Sequence, residues 1–192
     1  MTPVLHLASA SPRRAELLRA LGLQFTQRGA DLDERRLPGE RPADMVLRLA
    51  ADKANAISHD GVILAADTAV VLGERVFGKP VDEDDAVAML TALSAQTHTV
   101  MTGVAVRHGD SLHTACSQTE VRFRAIDPGE MHRYWQSGEP RDKAGAYAVQ
   151  GLGGLFVESL SGSYSGVVGL PVYETAELLE QVGVTLLQDH QG

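Results

Sequence analysis

VILAADTAVVLGERVFGKP, residues 62–80, is the stretch on which the architecture turns. Residues 62–68, VILAADT, open as an unbroken apolar run, the pattern of a strand covered on both faces. Residues 70–80, VVLGERVFGKP, read as a hairpin with its turn near Gly73-Glu74. A doubly covered strand asks for helices on either side, whereas a hairpin supplies an antiparallel neighbour. Together they point to an α/β fold, a mixed β-sheet with flanking helices.

The surrounding sequence supplies both kinds of element. Residues 4–8 form a short strand, and LASASPRRAELLRALG, residues 7–22, bends from it into a helix. Ser11 stands at the N-cap and Pro12 at the first helical position; Leu17, Leu18 and Leu21 give the buried stripe, and Gly22 ends it. Residues 24–28 return as a strand, 31–42 (DLDERRLPGERP) as a polar loop, and 42–58 as a helix with Met45, Leu49 and Ala56 on one side. Asp82 and Asp85 cap a helix running to about Leu93, and strands at 97–106 and 112–124 flank a turn at 107–110. Asp127 with Glu130 has the spacing of a capping box. SGEPRDKAGAYAVQGLGG, residues 137–154, is a long irregular loop; 154–160 and 167–169 read as further strands, and 171–182 as a final amphipathic helix closed by Gly183. No repeat or linker interrupts residues 1–192, which are expected to form a single domain.

Composition narrows the function classes. The chain is 44% hydrophobic and 22% charged, the balance of a globular protein with a sizeable core. Lys plus Arg number 17 against 25 Asp plus Glu, a net charge of −8 that argues against a general nucleic-acid surface. Four Phe, four Tyr and Trp135 leave few stacking platforms for bases of a strand. Cys116 is the lone cysteine, so an intrachain disulfide is excluded and no thiolate zinc site is visible. No apolar stretch reaches membrane-span length and MTPVLHLASAS lacks the basic start of a signal peptide, so no membrane and a cytoplasmic setting are expected.

Against that acidic background, local cations carry information. Arg13 and Arg14 fall in the first turn of a helix, where a cation costs about 0.3–1 kcal/mol against the dipole. A bound phosphate offsets this, and so does a neighbouring carboxylate. Asp67 ends the buried strand, where α/β folds place ligands, although an Asx-turn or cap is the ordinary alternative. Lys79 lies in Gly78-Lys79-Pro80, held extended by the proline; taken alone it is an exposed turn lysine. Lys143 introduces AGAY and QGLGG, a glycine-rich loop that can wrap an anion or simply connect elements. Lys53, within ADKA, is equally compatible with a solvated helix face. Neither a P-loop nor a dinucleotide fingerprint occurs, so a phosphate site here has to be assembled from separated side chains.

In order along the chain stand SASPRR (9–14), DE (33–34), DKA (52–54), ADT (66–68), GKP (78–80), EPRDKAGAY (139–147), QGLGG (150–154) and GSYSGVVGLP (162–171). Each motif is short; their shared order over nearly the whole chain resembles the Maf family of nucleoside triphosphate pyrophosphatases. The resemblance implies two lobes around a cleft, related to the inosine triphosphate pyrophosphatases. It also implies cleavage between the α- and β-phosphates with a divalent cation, Mg²⁺ or Mn²⁺. By position, Asp67 matches the proton acceptor, and Glu34 with Asp67 the acids that hold the metal. Ser9, Arg13, Arg14, Lys53, Lys79 and Lys143 match the phosphate-lining positions, and Arg13, Thr68 and Gln150 those tied to base choice.

These last three resemble the subgroup acting on dTTP and UTP. A glutamine offers donor and acceptor together, which suits the imide edge of uracil or thymine but does not single it out. The resemblance therefore implies a house-cleaning enzyme for pyrimidine nucleotides, including modified ones, that works as a homodimer. A 7-methyl-GTP pyrophosphatase of the same family is one alternative. A non-enzymatic nucleotide-binding regulator of cell division is another, and the acids at 34 and 67 speak against it, because a pure binder of a polyanion gains from cations there.

Overall fold

A computed structural model of the protein describes residues 4–186. Its elements in chain order are β1 (Leu5–Leu7), α1 (Pro12–Ala20), β2 (Phe25–Gln27), α2 (Pro42–Asn55), β3 (Val62–Leu72), β4 (Arg75–Phe77), α3 (Glu83–Leu93), β5 (Thr97–His108), β6 (Ser111–Phe123), α4 (Pro128–Gln136), β7 (Val157–Ser161), α5 (Tyr164–Val168) and α6 (Val172–Gln181). Among the described residues the strands form a seven-stranded sheet in the order β2-β1-β3-β5-β6-β7, with β4 paired to β3. β1 runs parallel to β2 and β3, whereas β3–β4 and β6–β7 are antiparallel. The sheet is mixed, as residues 62–80 require.

The chain divides into two compact units. The first holds residues up to Asp67, Thr102–Ser117 and those from Gly169 onward; the second holds Thr68–Met101 and Gln118–Val168. Strand alternation builds the first unit's core. Val62, Leu64 and Ala66 turn to Leu5, Leu7 and residues of α1 and α6, including Leu18, Leu178 and Leu179. Ile63 and Ala65 turn the other way, to Ala50 and Ala54 of α2. β3 is thus covered on both sides for a concrete reason: each face has its own helix. Gly103 allows α2 to approach closely, since a Cβ there would lie 2.3 Å from the Val46 carbonyl oxygen.

The caps follow the residue pattern. Asp82 accepts from the Asp85 N–H, and Asp127 and Glu130 form the full capping box at α4. Gly22 and Gly183 close their helices in left-handed conformation, at φ 74° and 82°. Ser11 occupies the N-cap of α1, but its hydroxyl makes no capping bond; its N–H instead donates to Ser9 Oγ. One expected strand is absent. Residues 167–169 do not extend the sheet, because Ser163 starts a helical turn: its Oγ accepts from the Gly166 N–H and its carbonyl from the Val167 N–H. The β-branched pair Val167-Val168 yields to that local capping.

The second unit packs Val70, Phe77, Leu90, Val121, Phe123, Met131, Tyr134 and Phe156 around α3 and α4. His98 lies inside this cluster, 2% exposed, with Nε2 2.8 Å from Tyr147 Oη and its ring edge-on to Phe123. Burial pushes the imidazole down to about 4, from an ordinary value of 6.5. Between those values the unfolded chain takes up the proton and the folded chain does not, so stability falls as pH drops through this window. Urea unfolding midpoints measured between pH 7 and 4 are expected to fall less steeply in His98→Gln; equal slopes would refute this. His6, also held down by burial and by His59 and Arg28, supplies part of the remaining slope.

Candidate active site

The polar residues of the first unit converge just past the carboxyl end of β1; Asp67 does not end its strand as expected but lies within β3, which runs on to Leu72 to pair with β4. Asp67 shares the face of Ile63 and Ala65, the side on which α2 lies, by strand alternation. On α2 the buried positions are Met45, Val46, Leu49, Ala50, Lys53 and Ala54, a helical stripe that contains the lysine. Lys53 is therefore 7% exposed rather than on a solvated face, and its Nζ lies 2.6 Å from Asp67 Oδ1 and 2.7 Å from Glu34 Oε1. Asp67 is itself 8% exposed, whereas about half of the Glu34 side chain reaches solvent. The neighbouring Asp33 turns away and pairs with Arg35, which leaves Glu34 as the acid of the DE pair that joins this cluster.

The DE-bearing loop is clamped at a distance from the acids. Arg48 of α2 donates from Nε and Nη2 to both Glu40 oxygens and from Nη2 to the Arg35 carbonyl. Arg36 Nε reaches the Glu40 carbonyl in addition. The Arg48 guanidinium holds the Glu40 carboxyl down at about 2. A polar loop with little apolar anchorage is thereby tied to the helix that carries Lys53.

At the start of α1, Arg14 is half-buried and tethered: Nε donates to the Gly169 carbonyl at 2.7 Å and Nη1 to Ser9 Oγ at 3.1 Å. Burial pushes its guanidinium down, Asp67 and Glu34 push it up, and Arg13 adds like-charge repulsion. Those opposing influences place Arg13, Glu34 and Asp67 within electrostatic reach of Arg14, and an arginine keeps its charge throughout. Ser9, 6% exposed, also accepts from the Ser11 N–H, and its carbonyl accepts from Gln27 Nε2. Arg14 of the first turn thus stands within reach of carboxylates.

In the second unit Thr68 is half-buried on β3, and Lys79 and Gln150 are exposed. The Gly145 N–H donates to the Gly78 carbonyl at 3.0 Å, which brings the Lys79 and Lys143 loops side by side. Gly145 is left-handed at φ 68° and a Cβ there would press on Val70 at 3.0 Å, so AGAY needs its glycine. Lys143 Nζ pairs with Asp142. Two residues were not singled out from the sequence for any role: Glu139 and Tyr134, which organise the QGLGG loop through Glu139 bonds to the Leu152 and Gly153 N–H groups. Glu139 falls in EPRDKAGAY, but contacts to backbone amides more than ten residues away leave no periodic trace.

Glu34 and Asp67 both reach the same ammonium group, so their oxygens can converge on one cationic centre. Two hard oxygen donors suit Mg²⁺, which is usually held by one or two carboxylates with phosphate oxygens and water completing the shell. Among the described residues no group of three or more His, Cys, Asp or Glu side chains gathers into a metal cage, and a site of this kind requires none. Nor is any helix among the described residues long and apolar enough to cross a membrane. A buried and a half-exposed acid joined by a lysine, beside a serine-anchored arginine, can receive a polyanion together with a hard cation.

The chain belongs to the family described as Maf-like protein, whose model matches residues 4–182. It is 55% identical over 190 residues to a dTTP/UTP pyrophosphatase of Anaeromyxobacter dehalogenans, covering 97% of each chain. A dTTP/UTP pyrophosphatase of Pseudoalteromonas atlantica is 50% identical over 188 residues, covering 94% of this chain and 98% of the relative. One from Hahella chejuensis is 49% identical over 191 residues, covering 96% and 95%. Among solved structures, the Staphylococcus aureus Ham1 protein overlaps 62% of this chain and 71% of its own, at a TM-score of 0.45 and 11% identity.

Proposed function

We propose that the protein is a nucleoside triphosphate pyrophosphatase that hydrolyses dTTP and UTP to the monophosphate and pyrophosphate. Support comes from relatives of that name matching at about 50% identity over nearly their full length. The single structural observation that carries the reading is Lys53 bridging Asp67 and Glu34, beside Arg14 and Ser9. A binder of polyanions alone gains nothing from burying Asp67 among cations, whereas a hydrolase needs an acid for the cation and for water.

In this reading Asp67 accepts the proton of the attacking water, and Glu34 and Asp67 would hold an Mg²⁺ or Mn²⁺ ion, which would supply positive charge to offset that of the phosphates. Arg13, Arg14 and Lys53 hold phosphate oxygens, with Ser9 fixing the orientation of Arg14. Lys79 and Lys143 are assigned to phosphate, and Thr68 and Gln150, with Arg13, to the base. Preorganised cations of this sort lower the barrier by meeting charge where it builds up on the transferred group. Modified pyrimidine triphosphates fit the same chemistry. We place the protein in the cytoplasm, to which a lone cysteine is suited, working as a homodimer on a nucleotide rather than on nucleic acid or membrane.

A panel of nucleoside triphosphates with Mg²⁺, scored for released pyrophosphate, tests the reading. UTP and dTTP are expected to lead, with no pyrophosphate released in the presence of excess EDTA. Faster turnover of 7-methyl-GTP than of UTP would move the protein to the other subgroup, and silence of the whole panel would favour a regulatory role.

A further inference from the structure

The glycine-rich loop at 148–154 does wrap an anion, and the anion belongs to the protein. Glu139 Oε2 accepts from the Leu152 N–H at 3.0 Å, and Oε1 accepts from the Gly153 N–H at 3.0 Å and from Tyr134 Oη at 2.7 Å. Tyr134 Oη in turn accepts from the Ala148 N–H at 3.0 Å. A Cβ at Gly151 would lie 2.1 Å from Glu139 Oε2, and one at Gly153 2.5 Å from Tyr134 Oη. Gly151 and Gly153 are therefore demanded by these two side chains, whereas a Cβ at Gly154 would meet the Val149 carbonyl oxygen at 2.7 Å. Exposed Gln150 sits between Ala148, fixed by Tyr134, and Gly151, packed on Glu139.

The carboxylate is well settled there. Burial pushes Glu139 up, but hydrogen bonds from Tyr134, Gly153 and Leu152 outweigh it and hold the group below its ordinary range. The Tyr134 hydroxyl is pushed upward by burial and by its bond to Glu139, so it stays a neutral donor. Bonds between a charged acceptor and backbone amides are stronger than neutral ones, which ties the loop backbone at residues 152 and 153 to Glu139.

We propose that Glu139, with Tyr134, is a positioning residue for nucleobase selection: it fixes the backbone on both sides of Gln150 and so sets which base edge the glutamine can meet. The inference rests on the assignment of Gln150 to the base. It separates two jobs within one protein, because a misplaced Gln150 alters discrimination between bases without altering affinity for a bare phosphate chain. A generic loss of fold would weaken both.

The test measures kcat/KM for UTP and GTP, and inhibition by inorganic tripolyphosphate, in Glu139→Gln, Tyr134→Phe and Gln150→Ala. In Glu139→Gln the amide places a donor against backbone N–H groups, and the UTP-to-GTP ratio is expected to fall about tenfold, as on loss of one polar recognition contact, mainly through KM. The tripolyphosphate inhibition constant is expected to stay within about twofold, since no phosphate-holding side chain is removed. Tyr134→Phe keeps the ring packed and is expected to shift the ratio the same way by less, so it answers the question should Glu139→Gln fail to fold. If Gln150→Ala changes the ratio and neither loop variant does, the inference is overturned. If both loop variants weaken tripolyphosphate as much as UTP, Glu139 is merely structural and the inference is again overturned. A Gln150→Ala protein with the parent's ratio overturns the base assignment itself.

Discussion

Asp67→Asn is expected to lower nucleotide hydrolysis by about 10³-fold or more, within the range for a lost general base, while the melting temperature stays near that of the parent. The substitution keeps shape and hydrogen-bonding capacity: an amide oxygen can still accept from Lys53 Nζ, which lies 2.6 Å from Oδ1. Lys53 also keeps Glu34 at 2.7 Å, so no buried cation is stranded. What disappears is the negative charge that water and a divalent ion both need. Pyrophosphate release and a thermal melt on one preparation decide the matter. Turnover within tenfold of the parent would remove Asp67 from the centre of the mechanism.

The second large effect concerns the lysine. Lys53→Met leaves Asp67 buried without its cation; breaking a buried pair in this way costs about 3–5 kcal/mol, and Glu34's access to water points to the lower end, about 3 kcal/mol. In a protein of this size that corresponds to a drop of roughly 6–12 °C in melting temperature. Mg²⁺ is expected to restore more of the melting temperature in the variant than in the parent, because an ion that binds only the folded state stabilises in proportion to its affinity there. The two acids then face the ion without a competing ammonium. A variant that melts with the parent, or that gains nothing extra from Mg²⁺, contradicts the view that Lys53 and the ion answer to the same carboxylates.

Much of this was legible in the residues. The apolar run at 62–68 foretold a strand with a helix on each face, and the hairpin turn falls where Leu72 meets Arg75, at Gly73-Glu74. Capping signals at Asp82 and Asp127 were local and therefore readable. Lys53 was ambiguous for a physical reason. A charge on an amphipathic helix normally faces water, and only the spacing 46, 49, 50, 53 reveals that it shares the buried stripe. The strand expected at 167–169 failed because the Ser163 hydroxyl competes for the backbone more strongly than β-branching favours extension. Two of the three partners of Glu139 are backbone amides, and amides carry no letter in a sequence.

The three-part composition of the first unit bears on how the protein is made. Leu170, Leu178, Leu179 and Val184 pack on Leu5, Leu7 and Val62, and Arg14 closes on the Gly169 carbonyl, 155 positions further along. A ribosome that has just delivered Val168 has added every residue of the second unit, yet the β1–β3 layer still lacks the part of its apolar cover that Leu170, Leu178 and Leu179 supply beside α1. Nascent chains at that stage are the ones most in need of a chaperone's cover, and the wait ends only when α6 leaves the exit tunnel.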